Sequence, residues 1–166
     1  MPEPERPGGT AAVSGVFRAT YPDGAHDAEA LFFAGDRLHI VTKGDTGPVA
    51  LYRFPAQLQA GSTMKLERVG APSGRPDPES RITDGSTSPD GQWVVRSRSA
   101  LTFYRTSDVL VGQWRVASTV SLALLNEPQG EGVALGADDT VFLAGEGGGK
   151  GRPGTFARLS CSSPRS

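Results

Sequence analysis

Short apolar runs, each closed by a turn containing Gly, Pro, Asp or Ser, recur along the whole chain. Few of them carry the i, i+3, i+4 spacing of a helix face. The best helix candidate, Ala25 to Phe33, soon becomes a continuous apolar run ending at Gly35-Asp36, which suits a strand better. The pattern predicts strands at 13–19, 29–34, 37–43, 48–54 and 64–69. Further strands are expected at 83–88, 92–98, 100–105, 109–117 and 120–125, and then at 131–135, 140–144 and 155–160. Residues 71–80 (APSGRPDPES) read as a loop by composition.

Three of these stretches align around a tight turn: HDAEALFFAGDRLHIVTK, TDGSTSPDGQWVVRSR and QGEGVALGADDTVFLAGE. Each has an acidic residue, a small residue, a short run, a turn with Gly or Asp, and an apolar strand. The acidic residues are Glu29, Asp84 and Glu131. Each hairpin is followed by a third strand, and in two cases by a fourth. Four antiparallel strands per repeated unit is the signature of a propeller blade. The expected fold is therefore all-β, a β-propeller fragment of about three four-stranded blades, with a β-sandwich as the alternative. Its units would span residues 20–70, 81–125 and 126–160, between a disordered lead at 1–12 and a disordered tail at 161–166. A blade needs cover on both faces, which explains first strands that are apolar on both sides.

Composition fits many turns. Gly (22) and Pro (13) exceed a fifth of the 166 residues, with no collagen-like period. The net charge of −1, with signs interspersed, argues against a nucleic-acid groove or an anionic-membrane surface. No apolar run approaches the roughly 20 residues of a membrane helix. The single cysteine, Cys161, rules out an internal disulfide and reads as an inert thiol. The start, MPEPERPGGT, lacks the basic and apolar regions of a signal peptide, so the expectation for the chain as it stands is a cytoplasmic one.

At HDAEAL…VTK…YRFP, SPDGQWVVR and PQGEGVAL, from about Ala19 to Leu159, the chain resembles a bacterial group of β-propeller proteins. That group is similar to the WD40/YVTN-like and phytase-like (esterase-like) propellers. Its members are longer, with an N-terminal half and often an export signal, and this chain matches their C-terminal half. The resemblance thus implies an exported protein if an N-terminal half has been lost. It also implies missing blades, which a homodimer of half-rings would supply. Strand 13–19 would then be the outer strand of a preceding blade, or would close the third unit.

Propeller geometry puts Glu29, Asp84 and Glu131 at the start of the inner strands, on one rim of the central channel. Lys43, Arg96 and Glu146, at the ends of the second strands, lie near them. Pairing Ser88 with Gln92 around Pro89-Asp90-Gly91 sets Asp84 opposite Arg96. Thr42 falls opposite Glu29. One reading pairs each carboxylate with a cation of its own blade or with N–H groups of the next. The other is a rim binding Ca²⁺ through Glu29, Asp84 and Glu131, since calcium takes about six to eight oxygens. Asp27 and Glu127 would join such a set, and Lys150 would replace the metal between Glu131 and Glu146.

His26 beside Asp27 offers a candidate general base or a solvated loop residue. His39, within an apolar strand, reads as core, and a His-rich zinc site has too few ligands. GEGGGKGRPG fails as a phosphate loop and reads as a strand connection. No G-x-S-x-G elbow occurs.

Two function classes follow. One is a non-catalytic binding or scaffold module whose rim contacts a small molecule or protein. The other is a Ca²⁺-dependent hydrolase of the phytase-like or lactonase-like kind. The first is preferred, because half a ring offers half a ligand set.

Overall fold

The computed structural model describes residues 12–71, 81–88, 90–136, 140–149 and 151–160. The lead, nearly all of the 71–80 loop, Pro89, Lys150, Cys161 and the tail lie outside the described residues. The first unit holds β1 (Arg18–Thr20), β2 (Ala28–Ala34), β3 (Arg37–Thr42), β4 (Leu51–Arg53), β5 (Thr63–Lys65) and β6 (Glu67–Gly70). The second holds β7 (Ile82–Thr87), β8 (Gln92–Ser97), β9 (Ala100–Arg105), a single helical turn α1 (Thr106–Val109) and β10 (Val116–Ser121). The third holds β11 (Gln129–Leu135), β12 (Thr140–Glu146) and β13 (Thr155–Ser160).

The chain is all-β, and its antiparallel sheets run in the orders β2-β3-β4-β6, β7-β8-β9-β10 and β11-β12-β13. None of these sheets closes on itself. Strand β7 packs against β2 on one side and β11 on the other, so the sheets stack through their first strands. One apolar cluster fills the gap between the first two sheets, with Ala30, Phe32, Val41, Leu51, Trp93, Val95 and Tyr104. Gly85 belongs under this layer: a Cβ there would sit 3.3 Å from the Phe32 ring. A second cluster, with Val94, Leu101, Phe103, Val133, Val141 and Leu143, joins the second and third sheets. Covered on both faces, β8 is buried from Trp93 to Ser97, as a strand sandwiched between sheets must be. In contrast β2 alternates, exposing Glu29, Leu31 and Phe33, because one of its faces has no sheet against it.

The three hairpins share one register. Each inner strand carries a bulge, between Ala28 and Ala30, Ile82 and Asp84, and Gly130 and Gly132. The first pairs after the bulge are Ala30 with Val41, Asp84 with Arg96, and Gly132 with Ala144. Equivalence by structure therefore groups Glu29 with Thr83 and Glu131, and Asp84 with Ala30 and Gly132. Alignment of the acidic residues slips the second unit by one position. All three strands carry the bulge at the same place, so the slip comes from matching residue type in place of ladder position.

Two further expectations change. Strand β1 pairs in parallel with β5, Arg18 against Thr63, and neither extends a preceding sheet nor joins β13. With β5 it covers one face of the first sheet, where Met64 and Leu66 meet Tyr52 of β4 and Leu38 and Ile40 of β3. The apolar run at 109–117 is not one strand. Val109 is buried from α1, Gly112 turns the chain at φ 79°, and Gln113 N–H returns to the Asp108 carbonyl at 2.9 Å. Trp114 then packs edge-on to Trp93 and Tyr104, so Val109 and the indole turn inward while Val111 and Val116 stay exposed.

Candidate functional site

The polar end of the stack is built around Asp84 and Arg96, opposite each other at the first pair after the bulge. Side chains two apart on β7 face the same neighbour, so Asp84 and Ser86 both reach β11. The Asp84 carboxylate accepts the Val133 N–H at 2.7 Å and its neighbour Gly85 N–H at 2.7 Å. The Ser86 hydroxyl accepts the Leu135 N–H at 3.1 Å. Burial pushes the Asp84 carboxyl above its ordinary range, opposed by those two N–H groups and by the Arg96 charge.

Arg96 is fully buried. Its Nη1 donates to the Gly132 carbonyl at 2.6 Å and the Ala144 carbonyl at 2.9 Å, and its Nη2 to Glu127. The other Glu127 oxygen accepts the Thr155 hydroxyl at 2.7 Å. Burial lowers the Arg96 pKa and the Glu127 carboxylate opposes that. Gly130 is glycine for this reason, since a Cβ there would lie 2.8 Å from Arg96 Cζ. One arginine of the second sheet thus closes the polar end of the third.

The remaining rim groups are held separately. Glu29, in the first bulge, receives the Lys43 ammonium at 2.5 Å, and this bond raises the Lys43 pKa. The Asp27 carbonyl accepts the Lys43 N–H at 2.8 Å. Glu131, in the equivalent bulge, accepts Gln129 Nε2 at 3.0 Å, and Glu146 lies opposite Gln129 in the ladder. The structure does not gather Glu29, Asp84 and Glu131 into one donor set. Among the described residues no group of three or more His, Cys, Asp or Glu side chains is arranged to hold a metal ion. These donors therefore do not fit calcium, which needs several oxygens converging on one point.

His26 pairs with Asp23 and not with Asp27, with Nε2 3.0 Å from the Asp23 carboxylate and 3.1 Å from the Tyr52 oxygen. Tyr52 donates its hydroxyl to Asp23 at 2.8 Å, Arg68 approaches the same carboxylate at 3.7 Å, and Tyr21 packs edge-on to both rings. The sequence signal was the turn Pro22-Asp23-Gly24, whose Gly24 takes φ 112°. Tyr52, 29 residues away, has no signal at all. Through Asp23 and Tyr52 the cluster ties the 21–27 loop to the first sheet. His39 is fully buried, stacked on Phe32 at 5.9 Å with Nδ1 2.9 Å from the Arg37 carbonyl, and burial lowers its pKa.

This cluster gives a pH signature. The Tyr52 hydroxyl bond holds the Asp23 carboxyl below its ordinary value. A lowered folded pKa means stability present above the unfolded pKa of about 3.9 and lost as pH falls through the folded one. At the other extreme burial and Asp23 push Tyr52 up to about 12, so its contribution is lost as pH rises past 10 toward that value. Tyr52→Phe should therefore flatten both limbs of the melting temperature against pH. Unchanged limbs would show that the cluster is not coupled to folding.

At the turn end, a cleft of about 860 Å³ is lined by Phe33, Thr87, Gln92, Arg105 and Ser107 among others. A smaller one of about 390 Å³ lies at the polar end, between Arg98, Asn126 and Glu127. The glycine-rich segment connects β12 to β13, as expected of a loop. Comparison of the chain with protein-family models, curated proteins and solved structures finds no match.

Proposed function

We propose that the chain is a segment of a β-propeller of the WD40/YVTN-like kind, acting as a binding or scaffold module and not as a hydrolase. The stack of sheets in a common register, joined through their first strands, supports the propeller reading. The observation that carries the functional half is the state of the rim carboxylates. Glu29 is taken by Lys43, Asp84 by N–H groups including one of the next sheet, and Glu127 by Arg96. Asp84 and the Arg96–Glu127 pair hold sheets together, the Glu29–Lys43 pair ties the first hairpin, and charged side chains at the sheet ends, such as Arg98 and Glu146, remain exposed to meet a small-molecule or protein ligand.

A calcium-dependent phytase-like or lactonase-like reading would need the carboxylates free and convergent. The expected result is a melting temperature that does not change up to millimolar Ca²⁺, with no calcium-stimulated turnover of a phosphomonoester or lactone. A cation that binds only the folded state raises the melting temperature with concentration. Such a rise, or turnover, would overturn the proposal.

A further inference from the structure

Strand β10 ends the second sheet, and all six of its residues, Val116 to Ser121, are exposed. Among the described residues it pairs with β9 alone. Past a bulge at its start the register is regular, with Ser118 on Phe103, Thr119 on Thr102, Val120 on Leu101 and Ser121 on Ala100. The Leu122 N–H continues that register, donating to the Ser99 carbonyl at 2.9 Å. Bonded and unbonded pairs alternate along an antiparallel ladder. Val120 therefore bonds to β9, whereas Thr119 and Ser121 turn their N–H and C=O groups toward the open edge. A bare row of such groups is a template for another strand, and edges are normally guarded by charge, proline or shortness. The first sheet follows that rule, since β6 is only four residues long and carries Glu67 and Arg68. Strand β13 carries Arg158. The VASTVS sequence of β10 holds neither a charge nor a proline and is rich in residues that favour strands.

We infer that this edge pairs with the same edge of a second copy of the chain, antiparallel, about a two-fold axis at Thr119. The Thr119 residues of the two copies then exchange both N–H···O bonds, as a bonded antiparallel pair does. The occupant follows from what this register brings together. Thr119 meets Thr119, Ser121 of one copy meets Ala117 of the other, and Ser118 meets Val120. No charge is buried or set against a like charge, and Thr–Thr is a favourable cross-strand pair. A two-fold contact uses one patch on both copies, so each edge is consumed and assembly stops at two. One pair of short edges is a small interface, so the dimer dissociates on dilution. The pairing stands on the second sheet by itself and goes beyond the propeller reading, since it needs no closure of the stack.

Sedimentation equilibrium tests the pairing. The mass should rise with concentration from 17.4 kDa toward twice that value. Thr119→Pro removes an outward N–H and leaves the bonds to β9 in place, so it should give a monomer with unchanged circular dichroism. Thr119→Lys and Thr119→Glu probe the axis without constraining the backbone. Each alone sets like charges opposite each other, and should associate about tenfold more weakly than an equal mixture of the two. Amide exchange reads the same edge residue by residue. At high concentration the Thr119 and Ser121 amides should slow several-fold, while those of Val120 and Leu122, bonded to β9 in either state, change little. A wild-type monomer at all concentrations would overturn the pairing. So would a dimer unmoved by Thr119→Pro, equal association of the charged variants alone and mixed, or assemblies beyond two copies.

Discussion

Glu127→Ala is expected to cost about 3–5 kcal/mol of unfolding free energy, the usual penalty for leaving one half of a buried ion pair without the other. Arg96 is wholly buried and the Glu127 side chain is only 3% exposed. Without Glu127, the guanidinium would keep the Gly132 and Ala144 carbonyls and only the weaker pull of the Glu131 and Asp84 carboxylates. Deprotonation is closed to it, since a guanidinium keeps its proton in proteins. Its Nε already has no partner among the described residues, so it has little to fall back on. The penalty is a large share of the roughly 5–15 kcal/mol that holds an ordinary domain together. Urea unfolding would read it as a lowered midpoint at unchanged slope. The double change Arg96→Met, Glu127→Leu should cost less than Glu127→Ala alone, because it removes both charges and keeps the apolar volume. A loss under about 1 kcal/mol for Glu127→Ala, the range of an exposed pair such as Glu29 with Lys43, would show that the pair is not buried as described.

This pair also marks the limit of what the sequence discloses. The opposition of Asp84 and Arg96 was legible, because Ser88 and Gln92 fix the turn and the turn fixes the register; Ser88 N–H indeed bonds the Gln92 carbonyl at 3.0 Å. Which carboxylate the guanidinium would choose was not legible. Glu127 lies 31 residues on, in the segment after the 3₁₀ turn Ala123–Leu125, and nothing local points it at Arg96. The equivalence of Glu29, Asp84 and Glu131 failed for a related reason. Matching by residue type puts Asp84 with Glu29 and Glu131, whereas the ladder puts Thr83 there, and only distant pairing reveals which is right. Position by position, Ala30 and Gly132 stand where Asp84 stands, so the middle unit alone carries a half-buried carboxylate there. That is why three matching carboxylates in the sequence do not make a three-carboxylate site.

Hairpins were the most readable elements, since their order rests on local turns. Segments defined by distant partners were the least. The parallel pairing of β1 with β5 needs knowledge of residues more than 40 positions away. The 109–117 run is apolar enough for a strand, and only the Gly112 turn and the place of Trp114 against Trp93 decide otherwise. Short apolar runs do not reveal by periodicity whether a strand or a turn will bury them.

Trp93→Ala is the second substitution of large expected effect, at about 3–5 kcal/mol, as for a large aromatic removed from a core. Trp93 is 1% exposed and touches rings on three elements: Phe32 at 5.3 Å, Tyr104 at 5.0 Å and Trp114 at 5.1 Å. Its Nε1 has no partner among the described residues, so truncation removes area and ring contacts but breaks no hydrogen bond. The loss is therefore a packing loss, and its size depends on how far the walls can close. They have little room to do so. Phe32 is already in contact range of where a Gly85 side chain would begin, and Tyr104 and Trp114 brace each other edge-on at 5.5 Å. Trp93→Phe should recover more than half of the loss, because a smaller ring still spans from Phe32 to Tyr104. Urea unfolding followed by Trp114 fluorescence measures both variants, and Trp114 reports the same cluster from its other side. A loss below about 1.5 kcal/mol for Trp93→Ala would mean that the first two sheets are not joined through this aromatic layer. In that case the stacking from which the propeller reading starts would fall with it.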